Sequence, residues 1–205
     1  MKQNSNFNKY HSKTMRLRGW NYSSESIYFI TIRTNSKGNI LGEIIDGDMQ
    51  ANKIGQIAEE FIKEISKYFN NTTTHASVIM PDHAHILLEI NKQSNNKPHH
   101  GVVLQCLSLS DASRHGVMRL KQGVQIAPRY IVAKLDIKQL SKGSLSIIIN
   151  QYKGAVKGYC NKNNIEFNWQ SKFFDRIIRD KNNLENTTNY IHNNPKDYWR
   201  KHKLL

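Results

Sequence analysis

Three side chains of this 205-residue chain are of types that can hold a metal ion or act as a nucleophile: His83, His85 and Tyr190. His83 and His85 stand two apart in M-P-D-H-A-H-I (80–86). On a strand, residues i and i+2 project from the same face, so two neutral imidazoles can converge on one divalent ion. Such a pair needs a third donor and an open position if the ion is to act on a substrate. The plain alternative is an H-x-H on a strand edge with no ligand. Tyr190 lies in N-Y-I-H-N-N-P (189–195), and Asn194 follows it by four, on the same face of a helix. A tyrosine there can equally be a packing residue with its hydroxyl satisfied. His192 points to a different face, which suits a structural or DNA contact.

Two further stretches carry aromatic and basic residues together. In residues 167–179, Trp169, Gln170, Phe173 and Phe174 interleave with Lys172, Arg176 and Arg179. That mixture suits stacking on unpaired bases and pairing with phosphates. It equally describes core aromatics with solvated cations. In Q-Y-K-G-A-V-K (151–157), Lys153 and Lys157 are one turn apart and can follow a nucleic-acid backbone. Tyr152 and Tyr159 are alternative nucleophiles, but they sit in an apolar stripe where core packing is the default.

Charge favours polyanionic partners. Lys and Arg total 30 against 16 Asp and Glu, a net charge of +14 with a pI near 9.8. Such an excess binds nucleic acid by counterion release and steering. A membrane surface is the rival, but no strongly amphipathic basic helix stands out. The polar, basic N-terminus has no signal-like apolar run, and no stretch is apolar enough to span a membrane. Cys106 and Cys160 form no C-x-x-C pair, which fits a reducing cytoplasm and no thiolate zinc site.

The elements that must hold these residues follow from periodicity. Residues 1–25 read as a loose polar arm, 27–33 and 40–45 as strands, and 51–69 as an amphipathic helix. Residues 76–80 and 84–90 read as an antiparallel pair around a Pro81-Asp82 break, with His85 on the face of Leu87 and Glu89. Residues 91–143 have no stable period and read as a long mobile insertion. A helix is expected from Ser144, as N-cap, to about residue 162, then a strand at 173–179. A last helix is expected from about 183 to 192, stopped by Pro195. The sum is one α+β domain over 1–205, an antiparallel sheet with flanking helices.

Taken in order, V-I-M-P-D-H-A-H-I-L-L (78–88), Q-Y-K-G-A-V (151–156), W-Q-S-K-F-F-D-R-I-I-R (169–179) and N-Y-I-H-N-N-P (189–195) resemble the REP-associated tyrosine transposases. These are a branch of the single-tyrosine HUH transposases, and the resemblance covers residues 27–90 and 144–199. It implies a ferredoxin-like HUH nuclease fold, with Mg²⁺ or Mn²⁺ on His83 and His85 and Tyr190 as nucleophile. Asn194 stands where that family often has a third metal ligand. The implied activity is cleavage and joining of single-stranded, hairpin-forming repeat DNA through a 5′-phosphotyrosine, by a monomer or homodimer associated with the nucleoid. The alternative is a binding protein for single-stranded or hairpin nucleic acid that has lost catalysis. Two departures stand out: the insertion at 91–143, and Lys172 where arginine is common. Lysine keeps the charge but not the planar fork.

Overall fold

The computed structural model describes residues 16–17, 19–36, 38–91, 102–104, 132–134 and 144–202. The chain forms β1 (Ser26–Arg33), β2 (Gly42–Ile45), β3 (Asp48–Ala51), α1 (Lys53–Tyr68), β4 (Thr72–Ile79) and β5 (His83–Ile90). There follow β6 (Val102–Leu104), β7 (Val132–Lys134), α2 (Leu145–Lys162), β8 (Phe174–Ile178) and α3 (Lys181–His202). The architecture is α+β, as the periodicities predict. Four antiparallel strands in the order β4-β5-β1-β8 make the main sheet.

Strand alternation divides the sheet into two unlike faces. Tyr28, Ile30 and Ile32 of β1 and Ala84, Ile86, Leu88 and Ile90 of β5 are fully buried on one face. α1 and α2 cover that face. α1 supplies Ile57, Ala58, Phe61, Ile62 and Ile65; α2 supplies Leu145, Ile148, Ile149, Tyr152 and Val156, both at helical spacing. The opposite face carries a smaller cluster, in which Ala76, Leu87 and Ile178 pack against Ile191 of α3. This second face is only partly covered, and His83 and His85 belong to it.

The turn between β4 and β5 is held from several sides. Met80 N–H donates to the His83 carbonyl at 2.8 Å, and the Thr34 N–H donates to the Asp82 carbonyl at 2.9 Å. Leu41 N–H donates to Pro81 O at 2.9 Å, tying the β2–β3 hairpin to the same turn. α1 starts beside Leu41. Asn52 caps the helix through Oδ1 to Ile54 N and Gly55 N, and its amide donates to Ile40 O at 2.9 Å. A Cβ on Gly55 would lie 2.1 Å from Leu41 O, so only glycine allows this approach.

Several expectations change. β3 pairs with β2 as a hairpin that the sequence hides, because D-M-Q-A is short and largely polar. Ser144 occupies the N-cap position of α2, but its side chain makes no capping bond. α3 runs through Pro195 to His202 rather than stopping before it. Proline removes one N–H and crowds the preceding turn. Packing outweighs this: Thr187, Ile191 and Asn194 are buried before Pro195, and Lys196 lies against Gly47 after it. Residues 16–25 are not a loose arm where described. Arg16 pairs with Asp175 at 3.5 Å, Trp20 Nε1 donates to Tyr28 OH at 3.1 Å, and Leu145 N–H donates to Tyr22 O at 3.0 Å. Most of the predicted insertion lies outside the described residues; within it, β6 pairs antiparallel with β7. Among the described residues no helix is long and apolar enough to cross a membrane.

Candidate active site

β5 aims His83 and His85 at the partly covered face, where β1 places Phe29, Thr31 and Arg33 beside them. Each imidazole is anchored through Nδ1. His83 Nδ1 is 2.6 Å from Asp82 Oδ1, and Arg33 donates to Asp82 Oδ2 at 3.0 Å. His85 Nδ1 is 2.9 Å from Thr31 Oγ1. Phe29 stacks on the His85 ring with centroids 5.0 Å apart. With both Nδ1 atoms engaged, the two Nε2 atoms face each other at 3.1 Å.

Burial, and then the electrostatic influence of His83, push the His85 pKa down to about 3. His85 is therefore neutral near pH 7 and keeps its lone pair, as a metal ligand must. Burial alone would raise the Asp82 carboxyl, but hydrogen bonds and charge from His83 and Arg33 hold it below the usual carboxylate range. An ionised Asp82 orients His83 in the manner of an outer-sphere carboxylate.

Two lone pairs at 3.1 Å repel unless they share a proton or a cation. Bonds of the zinc–nitrogen length, about 2.0–2.1 Å, would span that separation at an angle between octahedral and tetrahedral. The pair thus fits one divalent ion. Among the described residues no group of three His, Cys, Asp or Glu converges. Asn194, on α3, is 8% exposed, and its Nδ2, an amide donor that does not ligate a cation, has no hydrogen-bond partner.

α3 brings Tyr190 to the same place. Its hydroxyl is 3.5 Å from His85 Nε2, and the two rings meet edge-on at 5.5 Å. Phe29 meets the Tyr190 ring edge-on at 5.9 Å. Tyr190 remains 49% exposed, so a substrate can reach it. The packing alternative for this tyrosine does not describe so open a side chain. Tyr152, in contrast, is fully buried, and burial drives its phenol pKa sharply upward. Tyr159 packs against the same core.

The basic and aromatic candidates separate into different settings. Arg176 donates to Thr187 Oγ1 at 3.1 Å and lies over Phe29 at 5.6 Å, bracing β8 to α3 on the histidine face. Arg179 lines a groove of about 390 Å³ along the outer edge of β8, with Leu17, Tyr22, Asp180 and Asn183. Gln170 and Lys172 are exposed on the segment before β8, and Gln170 N–H donates to Arg33 O at 2.9 Å. Trp169 is 8% exposed and packs on Phe167 and Tyr152, among the core residues rather than on an open surface. Lys153 Nζ donates to Gln170 O at 2.6 Å and Ser171 O at 3.0 Å; Lys157 Nζ donates to Phe167 O at 2.6 Å. These two lysines hold the 167–171 segment against α2, on the far side of the sheet from the histidines.

Thr31, Phe29, Arg33 and Asp82 also shape the site, and the sequence reading misses them. Asp82 carries a signal, a carboxylate directly before the first histidine. The others show none until register pairs β1 with β5.

No family model matches. An uncharacterized protein of Haemophilus influenzae is 27% identical over 187 residues, spanning 91% of this chain and 89% of its own length. A solved REP-associated tyrosine transposase bound to a REP hairpin is 14% identical, with a TM-score of 0.47, covering 84% of this chain and 68% of that one. A candidate transposase from Deinococcus radiodurans R1 is 11% identical, with a TM-score of 0.38, covering 87% and 95%.

Proposed function

We propose that this protein is a metal-dependent endonuclease and strand transferase for single-stranded, hairpin-forming DNA, with Tyr190 as its nucleophile. One observation carries the reading: an exposed phenol on α3 lies 3.5 Å from the nearer of two imidazoles whose Nε2 atoms converge at 3.1 Å. The ordered motifs of the single-tyrosine transposases and the net charge of +14 support it.

His83 and His85 would hold Mg²⁺ or Mn²⁺, with Asn194 as the third side chain, and the ion when bound would neutralise charge on the non-bridging phosphate oxygens. Asp82 and Thr31 keep the two rings in place through Nδ1. Tyr190 Oη attacks phosphorus, and the bond to the 3′-oxygen of the preceding nucleotide breaks. The leaving 3′-oxygen gains a proton and the phenol loses one, so no net proton is consumed. The 5′-phosphate stays on Tyr190. A second 3′-hydroxyl reverses the step and joins the strands. One ester replaces another, so no nucleotide hydrolysis is needed. Arg176, Arg179, Gln170 and Lys172 would meet the strand; Lys153, Lys157 and Trp169 would act by shaping the segment that carries Gln170 and Lys172.

The test is a denaturing gel. Wild-type protein is mixed with labelled hairpin DNA from repeats flanking its own gene, with Mg²⁺ or Mn²⁺. A labelled protein band is expected, absent from Tyr190→Phe and from His83→Ala/His85→Ala, while Tyr190→Phe still binds the DNA. Tight binding without any adduct would leave the inactive nucleic-acid-binding reading instead.

A further inference from the structure

Phe173 and Phe174 are consecutive, so the strand sends them to opposite faces. Phe173 packs against the core, with the Arg16 guanidinium 4.9 Å from its ring centre. Phe174 opens β8 on the other face and keeps 46% of its surface exposed. Register fixes its place: Phe174 pairs with Thr31, and Thr31 pairs with His85. The three residues form one row across the sheet. Strands lie about 4.7–4.9 Å apart, so Phe174 is rooted about 10 Å from His85. The adjoining row holds Arg176 and Phe29.

Among the described residues, four large apolar side chains are exposed, and two of them, Phe174 and Tyr190, flank the histidine pair on this face. Core packing accounts for Phe173 and leaves Phe174 unexplained. A flat ring beside arginine is the surface on which an unpaired base stacks while its phosphate meets the cation.

We propose that Phe174 is the stacking platform for the base adjoining the scissile phosphate of a single-stranded DNA. The proposal rests on the nuclease reading of Tyr190 and deepens it. Phe174 positions the strand; it takes no part in bond making.

The experiment places 2-aminopurine at each nucleotide flanking the cleaved bond, which the covalent adduct of the wild-type protein maps. Binding is followed by fluorescence in EDTA, so that no cleavage occurs. The wild type is expected to quench the probe at one flanking position. Phe174→Tyr should keep that quench, whereas Phe174→Leu and Phe174→Ala should lose it, with Kd about 5- to 100-fold higher. Phe174→Leu retains an apolar side chain and so separates stacking from folding, which a thermal melt of each variant checks. Equal quenching in wild type and Phe174→Leu overturns the stacking role while the adduct keeps the nuclease reading intact. A wild type that forms no adduct on any hairpin overturns the nuclease reading, and this inference with it.

Discussion

His85 stands at the centre of the candidate site. Its Nδ1 contacts Thr31, Phe29 stacks on its ring, and its Nε2 faces both His83 and Tyr190. Burial holds its pKa near 3 against an ordinary value of 6.5. Between those values the unfolded chain binds a proton that the folded chain refuses. Stability therefore falls as pH drops from about 6.5 towards 3, and is recovered above that window. Metal-free protein should show this loss in denaturant midpoints measured across the window, and His85→Gln should show a flatter profile. Equal slopes would mean that His85 is not the group responsible. At this scale the sequence was informative about His83, His85 and Tyr190, whose types and spacing are local facts. It was silent on Thr31 and Phe29, which become neighbours of His85 only through strand register.

At the scale of elements, β5 and α3 carry the side chains of the candidate site, and the turn at Pro81 and Asp82 fixes where β5 begins. The 167–171 segment continues the frame beyond β1, through Gln170 N–H to Arg33 O and a bridge between Thr34 and Trp169. Lys153 and Lys157 tether its carbonyls from α2. Lys153→Met with Lys157→Met should lower stability by about 1–3 kcal/mol in urea unfolding. The same variant should change DNA affinity far less than Lys172→Ala with Arg179→Ala. The reverse ranking would assign the two α2 lysines to the DNA instead. Their one-turn spacing reads as a phosphate track in sequence, because nothing local reveals the carbonyls that they meet. Pro195 misleads for the same reason. Its local penalty is real, but burial of Ile191 and Asn194 and the contact of Lys196 with the hairpin carry α3 past it.

Across the whole molecule, one sheet separates two unlike faces. α1 and α2 cover the face that holds the large core, and the opposite face, crossed by α3, stays open enough to leave Tyr190 and Phe174 exposed. The strands at 27–33 and 84–90, and the helices at 51–69 and 144–162, were legible because their apolar periods are strong. The hairpin partner at 48–51 was not, since a short polar strand has no period to read. The net charge of +14 should make DNA binding steeply salt-dependent. With roughly three to five phosphates contacted on a single strand, log Kobs should fall against log salt with a slope of about −2 to −4. A slope near zero would remove the electrostatic part of the account. The most direct test of the central claim is mass spectrometry of the protein after reaction with hairpin DNA, nuclease trimming and trypsin. The peptide of residues 182–196 contains Tyr190 as its one tyrosine. The account predicts a 5′-linked nucleotide on that peptide, dependent on divalent metal. A nucleotide found on another tyrosine, or cleaved DNA with no modified peptide, would contradict it.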